Sequence, residues 1–401
     1  MVLLNNFISI FIFIFSTLTL GMYSDLSDNE LKIIPTTQIV ENLEKLLSGR
    51  KDVAQAHWEL ARALALAATK KEIQRGSGSN EIPEINPKDS LIQGGAVHLK
   101  KAIEHYNEAI KRDSDNKQYL LGRGWCYKLL NQKDAALKDL RRVFNESIIL
   151  HNNLYKIGAL SNKNDKGTSN SQRINALTEA RFLYTKIYES SNYLKEILDK
   201  KNNEKELADI NDKVNKAGLL SNASSDDQMD IPGSESPIII PLNANETSIE
   251  NLIAKDKFVL FNLDGTGKKH WQWVQPNTGF LIYLDKEQSS LVNSGRQLFG
   301  NITFWIFWKS GYDALRSLDN NQDGFLNGDE LYRVAIWQDK NQDGNSTSEE
   351  ILSLDSLNIV RISCYSELHN SGIEYNPTGI IYKNKSTRPS YDWISIEKNE
   401  H

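Results

Sequence analysis

Residues Asp319–Glu330 read DNNQDGFLNGDE, and twenty positions on, Asp339–Glu350 read DKNQDGNSTSEE. Both fit the pattern D-x-[DN]-x-[DN]-G-x5-E in full. A twelve-residue loop of this kind can surround calcium, a hard cation that takes about six to eight oxygens. In the first loop Asp319, Asn321 and Asp323 offer side-chain oxygens, Phe325 its carbonyl, Asn327 a place for a water, and Glu330 both carboxylate oxygens. In the second loop the same roles fall to Asp339, Asn341, Asp343, Asn345, Thr347 and Glu350. Gly324 and Gly344 follow the third oxygen donor, where the chain must turn sharply and a residue without Cβ meets no penalty at φ > 0. Calcium is therefore the one cofactor that the residues predict.

Only Leu331–Gln338 separates the two loops, so one short segment must leave the first and enter the second. That spacing suits a compact rigid pair better than helices that swing apart, and it favours a structural ion over a sensor. The prediction is that calcium ties Ser317–Ile351 against neighbouring strands.

Outward from the loops, the C-terminal half carries short β-rich runs at Lys257–Asn262, Gly279–Leu284, Ile359–Cys364, Ile380–Tyr382 and Trp393–Ile396. Helical patterning is confined mainly to Lys309–Leu318 and Glu330–Trp337. An α+β domain over 248–401 is expected. Its motifs FNLDGTG (261–267), GFLIYLD (279–285), QLFGN (297–301), GYDALRSLDNNQDG (311–324), AIWQDKNQDG (335–344) and ILSLDSLNI (351–359) resemble a calcium-binding module of secreted bacterial proteins. The resemblance implies tandem EF-hand-like calcium loops and no single activity. Two departures remove sites. At Asp285–Gln297 serines stand at 289 and 290 and Gln297 replaces a glutamate, so no bidentate carboxylate closes that loop. Asn262, Asp264 and Thr266 form too thin an oxygen cluster to count as ligands.

The N-terminal half is helical. Ile39, Leu43, Leu46 and Leu47 form a stripe after Pro35 and Thr36, and Val53–Lys71 is rich in Ala and Leu. Ala102, Tyr106 and Ala109 recur 34 positions later as Ala136, Leu140 and Val143, with Leu120, Gly124 and Tyr127 between them. This pattern resembles the tetratricopeptide repeat, a helical hairpin that often presents a groove to a protein partner. Arg123 stands where Leu is usual and Ser114 where Pro is common. A further helical pair is expected over 174–217, broken near Ser190–Asn192 and stopped by Gly218. The helical domain is placed at 36–218, as an interaction scaffold or as a self-contained bundle that binds nothing. The Pro- and Ser-rich stretch 219–247 reads as a linker.

Phe7–Leu20, FISIFIFIFSTLTL, is an apolar run of signal-peptide length. Residues 1–21 are expected to export the chain to the periplasm or beyond, or, uncleaved, to anchor it in a membrane. The net charge of −5 does not suit a nucleic-acid binder, which would carry a basic face. Cys126 and Cys364 fall in different expected domains, which disfavours a disulfide framework. Of eight tryptophans, Trp271, Trp273, Trp305, Trp308, Trp337 and Trp393 lie after 270. They could stack on carbohydrate or fill a core. No hydrolase or phosphate-loop signature is present, so the chain is expected to be non-enzymatic, with an unrecognised hydrolase as an alternative.

Overall fold

A computed structural model describes residues 35–49, 53–69, 95–159, 170–223, 234–265, 267–284, 291–306 and 308–398. The segment expected to direct export, and residues 285–290 of the altered loop, lie outside them. Two compact units emerge, one holding 53–69 and 95–223, the other 35–49 and 234–398. The protein is thus multidomain, with a helical unit and an α+β unit. No described helix is long and apolar enough to cross a membrane.

The helical unit comprises α2 (Ala54–Thr69), α3 (Gly95–Arg112), α4 (Lys117–Leu129), α5 (Lys133–Ala159), α6 (Asn170–Ile197) and α7 (Glu204–Ala223), each packed on the next. Ala102, Tyr106, Ala109, Ala136, Leu140 and Val143 are all buried. Small residues set how closely the helices approach. A Cβ on Gly122 would lie 2.5 Å from the Tyr106 ring, and one on Gly124 would meet Leu140 at 3.0 Å. Arg123 is accommodated by a two-pronged ion pair with Asp139, at 2.7 and 2.8 Å. The expected break at Ser190–Asn192 is absent. Ser190 and Ser191 donate their hydroxyls back to carbonyls within the same helix, so α6 runs on and the break falls at 198–203. Gly218 likewise sits inside α7 rather than ending it.

The second unit begins with α1 (Thr36–Ser48), which groups with the C-terminal residues and not with the helices that follow it. Its strands are β1 (Ser234–Glu235), β2 (Ile238–Pro241), β3 (Ile253–Phe261), β4 (Lys269–Val274), β5 (Thr278–Tyr283), β6 (Phe325–Asn327), β7 (Val334–Trp337), β8 (Ile351–Ser353), β9 (Ile359–Ser363), β10 (Glu367–Leu368), β11 (Glu374–Tyr382), β12 (Thr387–Asp392) and β13 (Ser395–Ile396). Short helices α8 (Ile249–Leu252) and α9 (Gly311–Arg316) join them. The main sheet is antiparallel in the order β6-β9-β11-β12-β2-β5-β7-β8, with β10 beside β11. β3 pairs with β4 apart from it.

Two expectations change here. The stretch 219–247 is not wholly a linker, because β2 lies inside the sheet between β12 and β5 with Ile238, Ile239 and Ile240 fully buried. Glu330–Trp337 is not a helix. Val334–Trp337 are all buried, as a strand between two neighbours requires, and such a continuous apolar run has the same periodicity as a buried helix turn.

The sheet cannot be flat. β6 and β7 are six strand spacings apart, about 29 Å across a flat sheet. Seven residue steps join Asn327 to Val334, about 25 Å at full extension. Part of that link is a 3₁₀ turn, Gly328–Leu331, so the sheet must curl and bring its two ends together.

Candidate calcium loops

Each loop is carried by an end of the curled sheet. The first leaves α9, contains β6 at one edge, and feeds β7; the second joins β7 to β8 at the other edge. The loops do not pair through strands of their own. β6 pairs with β9, and in the second loop the Ser346 hydroxyl bonds the main chain of Val292.

Despite these different settings, the two loops repeat one hydrogen-bond scheme. The first acid of each accepts from the glycine amide five residues on: Asp319 from Gly324 and Asp339 from Gly344, both at 2.9 Å. Asn321 accepts from the Asp323 amide and Asn341 from the Asp343 amide. Asp323 accepts from Phe325 and Asp343 from Asn345. Glu330 spans its loop, one oxygen accepting from the Asn320 and Asn321 amides and the other from Asn327. Glu350 spans its own loop between the Lys340 and Thr347 amides.

Backbone geometry repeats as well. Gln322 and Gln342 take φ of 59° and 57°, and Gly324 and Gly344 take 83° and 71°. Close approach also demands glycine. A Cβ on Gly324 would lie 2.0 Å from Tyr365, and one on Gly344 would lie 2.5 Å from Val259.

The acids at both ends of each loop are buried: Asp319 is 3% exposed, Asp339 0%, and Glu330 and Glu350 6% each. Ionised carboxylates in such places cost several kcal/mol unless matched by a cation or by donors. Burial pushes the Asp319 carboxyl above its usual range, and the nearby Glu330 and Asp323 charges add to the rise. Burial raises Asp339 in the same direction, with Glu350 contributing. Asp319 Oδ1 is buried without a hydrogen-bond partner. An unsatisfied anionic oxygen of this kind, inside a set made wholly of carboxylate, amide and carbonyl oxygens, suits a hard divalent cation. Among the described residues no three His, Cys, Asp or Glu side chains already converge as a finished cage. The carboxylates are held by their own loop amides instead.

Several contributors have no signature in the loop motifs. The Trp273 indole donates to Asp339 Oδ2 at 2.8 Å from inside the core, where its ring packs with Phe261, Phe280 and Trp337. The Arg361 guanidinium lies over the Phe325 ring at 4.0 Å and reaches Asp323 at 3.5 Å. Gln297 shows how the altered upstream loop is held. Its carbonyl accepts from the Asn293 amide and its NH₂ donates to the Leu291 carbonyl, so a neutral side chain closes the turn. Trp271, Trp273, Trp308, Trp337 and Trp393 are all at most 3% exposed, so their rings fill the core and present no stacking face to a sugar.

Comparison with known proteins places residues 238–387 within the model of a family described as the SPM domain, a match from β2 into β12 that includes both loops. The iron-regulated protein FrpA of Neisseria meningitidis serogroup C is 36% identical over 92 residues. That alignment covers 22% of this chain and 8% of FrpA, so the chain spans only a small part of that relative's length.

Proposed function

We propose that the C-terminal unit is a non-enzymatic calcium-binding module whose ions serve as structural ties at the two ends of a curled sheet. The observation that carries this reading is the buried, unpartnered Asp319 Oδ1 inside a loop whose main hydrogen bonds recur in the second loop. Asp319, Asn321, Asp323, Phe325 and Glu330 would hold one ion, and Asp339, Asn341, Asp343, Asn345 and Glu350 the other. A bound calcium would supply the positive charge that these buried carboxylates lack. Glu330 and Glu350 reach back to the second residue of their loops, so each ties the end of its loop to the start. Both loops are read here as EF-hand-like.

The helical unit, with its small-residue helix contacts, we read as a tetratricopeptide-like scaffold for a protein partner. Export through residues 1–21 fits a module that needs abundant calcium.

Thermal unfolding of the full chain tests the reading. Calcium at a hundred times Kd adds about 2.7 kcal/mol per independent site. The transition of the C-terminal unit is expected to rise by several degrees with calcium over chelator, and by roughly half as much in Glu330→Gln or Glu350→Gln. An unchanged transition at millimolar calcium removes the proposal.

A further inference from the structure

One face of α1 is spent on the first calcium loop. Gln38, Asn42 and Lys45 sit at i, i+4 and i+7, so they share a helix face. The Asn42 amide, 1% exposed, donates to the Ser317 carbonyl at 2.9 Å and to Asn320 Oδ1 at 3.0 Å. Gln38 donates to the Leu318 carbonyl at 3.1 Å and to the same Asn320 oxygen at 2.9 Å. Lys45 donates to the Asn320 carbonyl at 3.1 Å. Ile39, Val40 and Leu43 are buried beside them, so apolar contact holds the helix and the amides fix its register.

Asn320 is the hinge of this arrangement. Its side-chain oxygen and its carbonyl face α1, while its amide donates to Glu330 Oε1 at 2.7 Å. Glu330 is the residue expected to grip the ion with both oxygens. A shift of that carboxylate therefore moves the peptide on which α1 rests. Among the described residues no side chain of another element bonds the matching residue of the second loop, Lys340, which is exposed.

We infer that α1 is a calcium-responsive element of this protein, its docking coupled through Asn320 to occupancy of the first loop only. The inference rests on the calcium reading above. Coupling between two binding events is reciprocal. An ion in the first loop tightens α1, and loss of α1 contacts weakens that loop for calcium by the same factor.

Hydrogen exchange of the full chain, read on peptides from 36–48, 319–330 and 339–350 with calcium or chelator, tests it. In the wild-type chain calcium is expected to slow exchange in 36–48 by about fivefold or more. The slowing should persist in Glu350→Gln and vanish in Glu330→Gln. Asn42→Ala, and the milder Gln38→Ala, should weaken calcium protection of 319–330 and leave 339–350 unchanged. If 319–330 responds to calcium while 36–48 does not, or if 36–48 responds equally in Glu330→Gln, the coupling is wrong and the calcium reading stands. If neither loop responds, both fall.

Discussion

Asp319 and Asp339 occupy equivalent places, yet their surroundings differ. Asp339 receives an indole N–H from Trp273, while Asp323 in the first loop has the Arg361 guanidinium within reach. A fixed cation beside a ligand competes with calcium, so the second loop is expected to bind more tightly. Arg361 and Asp323 are both about two-fifths exposed, which limits their pair to roughly 1 kcal/mol. Arg361→Ala should therefore tighten the first loop by at most about fivefold in calorimetric titration; weaker binding would contradict this. The raised Asp319 and Asp339 carboxyls set the pH behaviour. A carboxyl whose folded pKa is raised contributes stability below its unfolded value, about pH 4, and loses it as pH climbs through the folded value. Without calcium these two groups should thus favour the fold less at pH 7 than at pH 4. Calcium needs both ionised, so its stabilising increment should be present at pH 7 and shrink on acidification. Unfolding scans at the two pH values, with calcium and with chelator, check both signs. The repeated loop geometry was legible from sequence because its spacing lies within one short stretch of chain. Trp273 and Arg361 were not, because they reach the loops from β4 and β9, far away in sequence.

Among the elements, β7 shows most clearly where periodicity runs out. Val334–Trp337 is an apolar run too short to reveal whether it repeats every two residues or every 3.6, and only its neighbours β5 and β8 decide the matter. The helices α3 to α5 were legible because Ala102, Tyr106, Gly124 and Leu140 encode close packing in their sizes. Ser190 and Ser191 misled because serine breaks helices only when its hydroxyl finds a partner outside them. In the loops, conformation itself is a strong constraint. Gly344→Ala must place a Cβ 2.5 Å from Val259 at a φ of 71°. A cost of about 2 kcal/mol or more is expected in urea unfolding with chelator present. A loss below about 0.5 kcal/mol would show that the loop relaxes freely.

At the scale of the whole molecule, the division into a helical and an α+β unit followed from a visible change of periodicity. The exact membership did not. α1 looked like the first of a run of helices, and nothing in its stripe of Ile39, Leu43 and Leu46 says that its polar face, Gln38, Asn42 and Lys45, reads the carbonyls near Asn320. β2 was hidden by three prolines nearby, though Ile238–Ile240 is an unbroken apolar run suited to a strand covered on both faces. A piece starting at 248 would lose both elements, so the full chain is the right object for the decisive experiment. That experiment is a count of calcium ions bound at equilibrium by dialysis, for the wild-type chain, Glu330→Gln, Glu350→Gln and the double variant, with circular dichroism to verify folding. Two ions, one, one and none are expected at low-millimolar calcium. A wild-type chain that binds none, or a folded double variant that still binds two, would contradict the account at its centre.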